Sequence, residues 1–365
     1  MKFKKILACL TAVMVMMTAI GCGQSASSGS TPASADTAAA ESTPAESESA
    51  AESDSATESA AESAADNAAG ADVMRIGSLK GPTSLGLVCL RHDAEAGESE
   101  GRYQFTMETQ ADVLAASFVK GDLDVILVPA NLASVLYHKT QGGAAVVDIN
   151  TLGVLYCVTG DDSITGITEL AGREVITTGQ GTTPEYSLRY LLDKYNITDC
   201  QLTFKSEAAE VAACLAEDPT AVAILPEPFV TVVEAQNDKL RTAFSLTEAW
   251  DAVSEDSMLV TGVTLVRRDY LETHEEAVKT FIREQAAGVE NVLADTAAAA
   301  ELVAAYGIIE KAPIAQKALP GCSLVCITGD EMKTALGGYL AVLEGFDASA
   351  IGGSLPGDDF YYGAA

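Results

Sequence analysis

From residue 73 onward the chain alternates two hydropathy patterns. Short runs rich in Val, Ile and Leu predict strands, and longer stretches whose apolar residues recur every three or four positions predict helices. In order, the pattern predicts a strand over 73–77, a helix over 82–91, a strand over 103–108, a helix over 111–119, a strand over 125–128, a helix over 132–139 and a strand over 144–149. It then begins again, with strands at 153–159, 174–177, 201–204 and 221–225 interleaved with helices at 167–170, 184–195, 208–216 and 229–236. A strand over 259–267 follows Trp250 and leads into a run of helices, interrupted by a strand at 324–328. On the helix expected over 270–293, Ala277, Val278, Phe281, Ile282, Val289, Val292 and Leu293 fall near a 3.6-residue period, a stripe that reads wholly as core.

Strand and helix alternating in this way imply an α/β fold with a mostly parallel sheet. Two successive units and a return segment predict two lobes joined by more than one crossing. Lobe 1 takes 73–152, lobe 2 takes 153–258, and 259–365 returns to lobe 1 and adds the C-terminal helices. Ligands of open α/β sheets sit in the crevice at the carboxyl ends of the strands, so the candidate chemistry is sought there.

The first 72 residues follow neither pattern. Lys2, Lys4 and Lys5 precede an apolar run over 6–20 that ends in Ala19-Ile20-Gly21-Cys22. A basic start, an apolar stretch shorter than the ~20 residues of a membrane span, and small residues before a cleavage point are the marks of a secretory signal. The cysteine makes the segment resemble the bacterial lipobox, departing from it at Ala19, where Leu is usual. That resemblance implies lipidation of Cys22 as the new N-terminus, and a mature protein on the outer face of the cytoplasmic membrane. Residues 23–72 hold ten acidic residues, no Lys, no Arg and no aromatic among Ser, Ala, Thr and Gly. Such a segment buries too little apolar surface to offset its ordering entropy and is expected to be a disordered tether, reaching on the order of 40 Å.

Charge narrows the partners. The whole chain carries a net charge of −30, and 42 acidic against 19 basic residues fall after residue 72. No basic stretch occurs there, which argues against nucleic acid and against direct adsorption to an anionic bilayer. Six cysteines, Cys89, Cys157, Cys200, Cys214, Cys322 and Cys326, remain after Cys9 and Cys22, with no C-x-x-C among them. Neither a zinc site nor any other metal or cofactor is expected, and the six read as buried free thiols. Cys322 and Cys326 would lie ~13 Å apart along a strand, too far for a disulfide.

At the strand ends, Ser78-Leu79-Lys80-Gly81-Pro82-Thr83-Ser84 leaves the first strand and opens a helix, with Gly81 suited to the cap and Pro82 to the first turn. The second unit repeats the device in Thr178-Gly179-Gln180-Gly181-Thr182-Thr183, where Thr183 can cap and Pro184 begins the helix. Two helix starts facing across a cleft favour an anion or the acceptor end of a polar ligand. The candidate ligand residues are therefore Lys80, Gly81, Thr83 and Ser84 on lobe 1 and Gly179, Gly181, Thr182 and Thr183 on lobe 2. Two further candidates have structural readings beside the functional one: Glu227, held extended between Pro226 and Pro228, and Asn131, a helix cap or a cleft donor. Tyr156, Tyr186, Phe229 and Trp250 are aromatics that either stack a ligand ring or fill the core. Lys80 favours an anion while Glu185 and Glu227 oppose it, so the ligand's charge stays open.

These segments, in order with Val128-Pro129-Ala130-Asn131-Leu132-Ala133, Leu225-Pro226-Glu227-Pro228, Gly352-Gly353 and Phe360-Tyr361-Tyr362, resemble the substrate-binding lipoproteins of bacterial ABC importers. Within them the likeness is to the nitrate, sulfonate, taurine and thiamine-precursor branch. It implies a two-lobed periplasmic-binding-protein type II fold acting as a monomeric receptor for a small polar ligand, anionic in one reading, with ABC permease subunits as partners. A surface sensor without a transporter is the alternative. An enzyme is the third reading, since the same fold resembles that of chorismate dehydratase. Against it, His92, His138 and His274 are scattered, no G-x-S-x-G occurs, and Thr273-His274-Glu275-Glu276 lacks the second histidine of a zinc-protease motif.

Overall fold

A computed structural model describes residues 73–254 and 257–364. The signal segment expected over 1–22 and the tether expected over 23–72 lie outside the described residues. The first unit runs β1 (Met74–Leu79), α1 (Pro82–Leu85), α2 (Val88–Ala96), β2 (Tyr103–Glu108), α3 (Ala111–Lys120), β3 (Val125–Pro129), α4 (Ala130–Lys139) and β4 (Ala144–Leu152). The second runs β5 (Leu155–Thr159), β6 (Glu174–Thr177), α5 (Thr183–Lys194), β7 (Gln201–Phe204), α6 (Ala208–Glu217), β8 (Val222–Pro226), α7 (Phe229–Gln236), β9 (Arg241–Ser245) and α8 (Leu246–Asp251). The last part comprises β10 (Val260–Arg267), α9 (Arg268–Thr273), α10 (Glu275–Ala294), α11 (Thr296–Ala305), α12 (Ala312–Ala318), β11 (Leu324–Ile327) and α13 (Gly329–Asp347).

The strands form two sheets, ordered β11-β4-β10-β3-β1-β2 and β7-β6-β8-β5-β9. In the first, β1 runs parallel to β2 and β3, while β10 inserts antiparallel between β3 and β4. The second repeats the plan: β6 is parallel to β7 and β8, and β5 inserts antiparallel between β8 and β9. Each inserted strand lies next to a crossing of the chain from one sheet to the other. This is the two-lobed arrangement, and the antiparallel insertions qualify the parallel sheet expected from hydropathy.

Several elements depart from the sequence pattern. The single helix expected over 82–91 is two, broken at Gly86 and Leu87 where α10 packs closest; a Cβ on Gly86 would lie 3.3 Å from Val289 Cγ2. The helix expected from 270 to 293 is split at His274, whose φ of −133° and ψ of 36° leave the helical region. Its stripe is also less uniform than expected. Val278, Phe281, Val289 and Val292 are buried, but Ala277 and Leu293 are exposed and Gln285 is buried among them. β9 and α8 were not expected, although Ser245-Leu246-Thr247-Glu248 has the spacing of a capping box and Ser245 Oγ accepts from Thr247 N at 3.1 Å.

The lobes share one hydrophobic core through α13. Trp250 of α8 is fully buried, its ring 4.7 Å from that of Tyr190 on α5 and 5.5 Å from that of Tyr339 on α13. Tyr339 Oη lies 3.2 Å from Ser187 Oγ. Leu336, Leu340 and Leu343 belong to the same cluster as Val146 and Ile149 of β4 and Leu188 and Leu191 of α5. All six cysteines are free thiols; Cys157 and Cys322 are buried and the other four half-buried.

Candidate functional site

The carboxyl ends of the parallel strands in both sheets open on one cleft of about 980 Å³. Lobe 1 contributes Leu79, Lys80, Pro82 and Thr83 from the β1–α1 turn, Thr109 to Asp112 at the start of α3, and Pro129, Leu132 and Lys139 along α4. Lobe 2 contributes Thr178 to Thr182 from the β6–α5 turn, Phe204 to Ala208 after β7, and Pro226 and Phe229 around the end of β8. Thr261, on the returning strand β10, also lines it. The wall is largely apolar, with Ala115, Ala116, Val119, Leu132, Leu136, Leu155 and Phe229 among its members.

The β1–α1 turn is built by its small residues. Gly81 has φ of 142°, which favours glycine, and the hydroxyls of Thr83 and Ser84 both donate back to the Leu79 carbonyl, at 3.1 and 2.6 Å. Ser84 Oγ also lies 2.7 Å from Ser78 Oγ. Ser84 is thereby turned into the protein; neither it nor Gly81 lines the cleft, whereas Lys80 and Thr83 do. The helix that follows is a single turn, so little macrodipole stands behind it.

The β6–α5 turn places Gly179 and Gly181 at φ of 72° and 73°. Thr182, not Thr183, is the N-cap, and its hydroxyl donates to the Gly179 carbonyl at 2.7 Å. The Gly181 N–H, expected to face a ligand anion, donates instead to Glu185 Oε2 at 2.7 Å, and Glu185 Oε1 in turn accepts from Arg189 Nε at 2.6 Å. The helix start is satisfied by its own carboxylate. Gly179, Gly181 and Thr182 line the cleft; Thr183 does not.

Asn131, Thr183 and Glu227 serve the joints between elements. Asn131 is fully buried inside α4, and Pro129 takes the cap position. Its Nδ2 donates to the Ala350 carbonyl at 3.0 Å and to the Gly181 carbonyl of lobe 2 at 3.3 Å, and its Oδ1 accepts from Thr183 Oγ1 at 3.3 Å. The Glu227 carboxylate accepts from Thr231 N at 3.1 Å and Thr231 Oγ1 at 2.9 Å, tying down the first turn of α7. Burial raises its pKa, with the two Thr231 bonds opposing. Of the four aromatics, Phe229 alone lines the cleft; Trp250 is core, and Tyr156 and Tyr186 pack against the cores as half-buried side chains.

Sequence reasoning missed Lys139, Lys205 and Thr261. Among the described residues Lys80, Lys139 and Lys205 have no ion-pair partner, so three free ammonium groups ring the cleft. Two carboxylates share it, and each is engaged with backbone: Asp112 Oδ1 accepts from Val113 N, and Glu207 closes the capping box of α6. Lys205 directly follows the last residue of a parallel strand, as Lys80 does, and that shared position was a legible signal. The Thr261 hydroxyl is buried without a hydrogen-bond partner among the described residues.

Residues 138–299 match the NMT1/THI5 like family model. This NMT1/THI5 like region runs from the end of α4 through the whole second sheet and into α11, so it spans both crossings between lobes. An ABC transporter structure from Parabacteroides distasonis is similar at 20% identity, covering 79% of this chain and 98% of that one with a TM-score of 0.66. The ligand-binding component of an ABC-type import system from Staphylococcus aureus, solved with zinc bound, is 16% identical over 80% of this chain and 96% of that one, with a TM-score of 0.61. The periplasmic aliphatic sulphonate binding protein of Escherichia coli is 12% identical over 76% of this chain and 87% of that one, with a TM-score of 0.60. No curated protein sequence matches the chain. The fold is therefore the two-lobed periplasmic-binding-protein type II fold. Among the described residues no group of three or more His, Cys, Asp or Glu is placed to hold a metal ion.

Proposed function

We propose that this chain is an extracytoplasmic solute-binding receptor, a binding protein rather than a catalyst, that delivers a small organic anion to an ABC-type importer. The observation that carries the reading is electrostatic. In a chain of net charge −30, the cleft gathers Lys80, Lys139 and Lys205 with no ion-pair partners among the described residues. Their ammonium groups attract an acidic group, and the largely apolar wall accommodates the ligand's carbon body. An acid drawn in by lysines of both lobes gains more contacts when the lobes approach, so binding favours closure.

Lys80→Ala and Lys205→Ala are each expected to weaken binding of the co-purifying ligand, identified by mass spectrometry, by about tenfold or more, as for a lost charge-assisted hydrogen bond. Lys279→Ala, which removes a surface ion pair with Glu275 and Glu276, should leave affinity unchanged. Isothermal titration of the three variants checks this, and unchanged affinity in both cleft variants places the anion elsewhere.

The receptor is proposed to act as a monomer held to the outer face of the cytoplasmic membrane through a lipid on Cys22. Cys22→Ser should then move the protein from the membrane to the soluble fraction while its circular dichroism spectrum and melting temperature stay the same. Retention of the variant in washed membranes at the wild-type level would remove the anchor from the proposal.

A further inference from the structure

Beneath the cleft wall, lobe 1 buries a polar cluster that ligand binding does not explain. Asp148 of β4, Thr264 of β10 and Gln285 of α10 are 0%, 0% and 1% exposed. Asp148 Oδ1 accepts from Thr264 Oγ1 at 2.9 Å and from Gln285 Nε2 at 3.2 Å. Asn150 Nδ2 donates to Thr264 Oγ1 at 3.1 Å, and Asn150 Oδ1 accepts from Thr151 Oγ1 at 2.9 Å. Two atoms are left without partners among the described residues, Asp148 Oδ2 and Gln285 Oε1. Both are acceptors when the carboxyl is ionised, so the cluster lacks a donor. Such a group, desolvated and unpaired, is costly as an anion.

Among the described residues nothing cationic is set against it. Cys326 of β11 is the titratable side chain that faces Asp148, and it is itself held neutral by burial. On α10 the neighbouring charges are turned to surface partners: Arg283 pairs with Glu100, and Glu284 accepts from the Tyr103 hydroxyl. On α13 Lys333 pairs with Asp358, and the Tyr339 hydroxyl meets Ser187. At the far end of β10 Arg267 pairs with Asp269 and approaches Asp124, while on α4 the His138 ring is bonded to the Ser354 carbonyl and Lys139 lines the cleft.

The cluster touches the cleft through β10. A Cβ on Gly262 would lie 2.6 Å from Asn150 Oδ1 and 2.9 Å from Thr83 Cγ2, so the glycine lets the cleft residue Thr83 and the buried network meet. Thr261 beside it lines the cleft. We propose that Asp148 binds a proton in the folded protein and, as the neutral acid, is the positioning residue for the Thr261–Gly262 segment of the cleft wall, coupling that wall to external pH. The added proton supplies the missing donor. Burial pushes the carboxyl up to about 7, against the opposing bonds from Thr264 and Gln285. A folded-state value raised above the unfolded ~3.9 makes the stability contribution complete below pH ~4 and lost as pH rises through about 7. The inference does not depend on what the cleft binds.

The test is a carboxyl carbon NMR titration of the mature full chain, with amide shifts followed in the same samples. The signal absent from Asp148→Asn should titrate near neutral pH, and the Thr83, Thr261 and Gly262 amides should move with the same midpoint. The melting temperature of wild type relative to Asp148→Asn should fall from about pH 4 upward and level off once that same midpoint is passed. A carboxyl that titrates near pH ~4 overturns the proposal, and so do cleft-wall amides that ignore the transition. Should Asp148→Asn fail to fold, site-specific assignment of the wild-type carboxyl separates the same two outcomes.

Discussion

Trp250→Ala is expected to destabilise the whole protein by about 3–5 kcal/mol, the range for truncating a large buried aromatic. The indole is fully buried, and its Nε1 donates to Ser257 Oγ at 3.0 Å. Tyr190 of lobe 2 and Tyr339 of α13 press on it from two sides. The cavity would open between elements that cannot collapse independently, since α13 also packs on β4 of lobe 1, so the high end of the range applies. At roughly 2–4 °C per kcal/mol for a domain approaching this size, the melting temperature should fall by about ten degrees in a single transition. Thermal melting followed by far-ultraviolet circular dichroism checks it. A drop within about two degrees would mean that the tryptophan does not bind the lobes into one core.

The second large effect is expected at Asn131→Leu, which keeps the number of side-chain heavy atoms and the branch point and removes the hydrogen bonds. The Ala350 carbonyl, the Gly181 carbonyl and the Thr183 hydroxyl would each lose a partner from Asn131 in a buried setting. Each group left bare costs about 1–3 kcal/mol, and partial relaxation brings the expected sum to about 3 kcal/mol. Because Gly181 also lines the cleft, ligand affinity should fall together with stability. Asn131→Asp should be worse at neutral pH, since it sets a charge against two carbonyl oxygens. Urea unfolding and ligand titration of the pair provide the check; equal stability of wild type and Asn131→Leu would show that packing alone holds the joint.

How much of this was legible beforehand follows from burial. Val125 to Val128 are buried on both faces of the sheet, and such continuous apolar runs mark a central strand plainly. Arg241 to Ser245 form an edge strand that is only half-covered, with one large apolar residue, and gave no such run. Strand direction is invisible to hydropathy, which is why the antiparallel β5 and β10 were not anticipated. In the cleft, the glycines and prolines of the two strand-to-helix turns announced Lys80, Thr83 and Gly179 to Thr182. Lys139 ends a helix, where lysine is common, and Thr261 lies within a strand; neither has a local signal of its own. Asp148 and Gln285 were hidden for the opposite reason, each lying inside a segment whose other residues read as core.

The position of β10 sets the order in which the two sheets can be completed as the chain grows. Every strand of the second sheet lies between Leu155 and Ser245, so that sheet can close as soon as this stretch has been synthesised. The first sheet cannot: β3 and β4 are joined only through β10, which ends at Arg267, more than a hundred residues after Leu152. The half of the chain made first is therefore the half completed last.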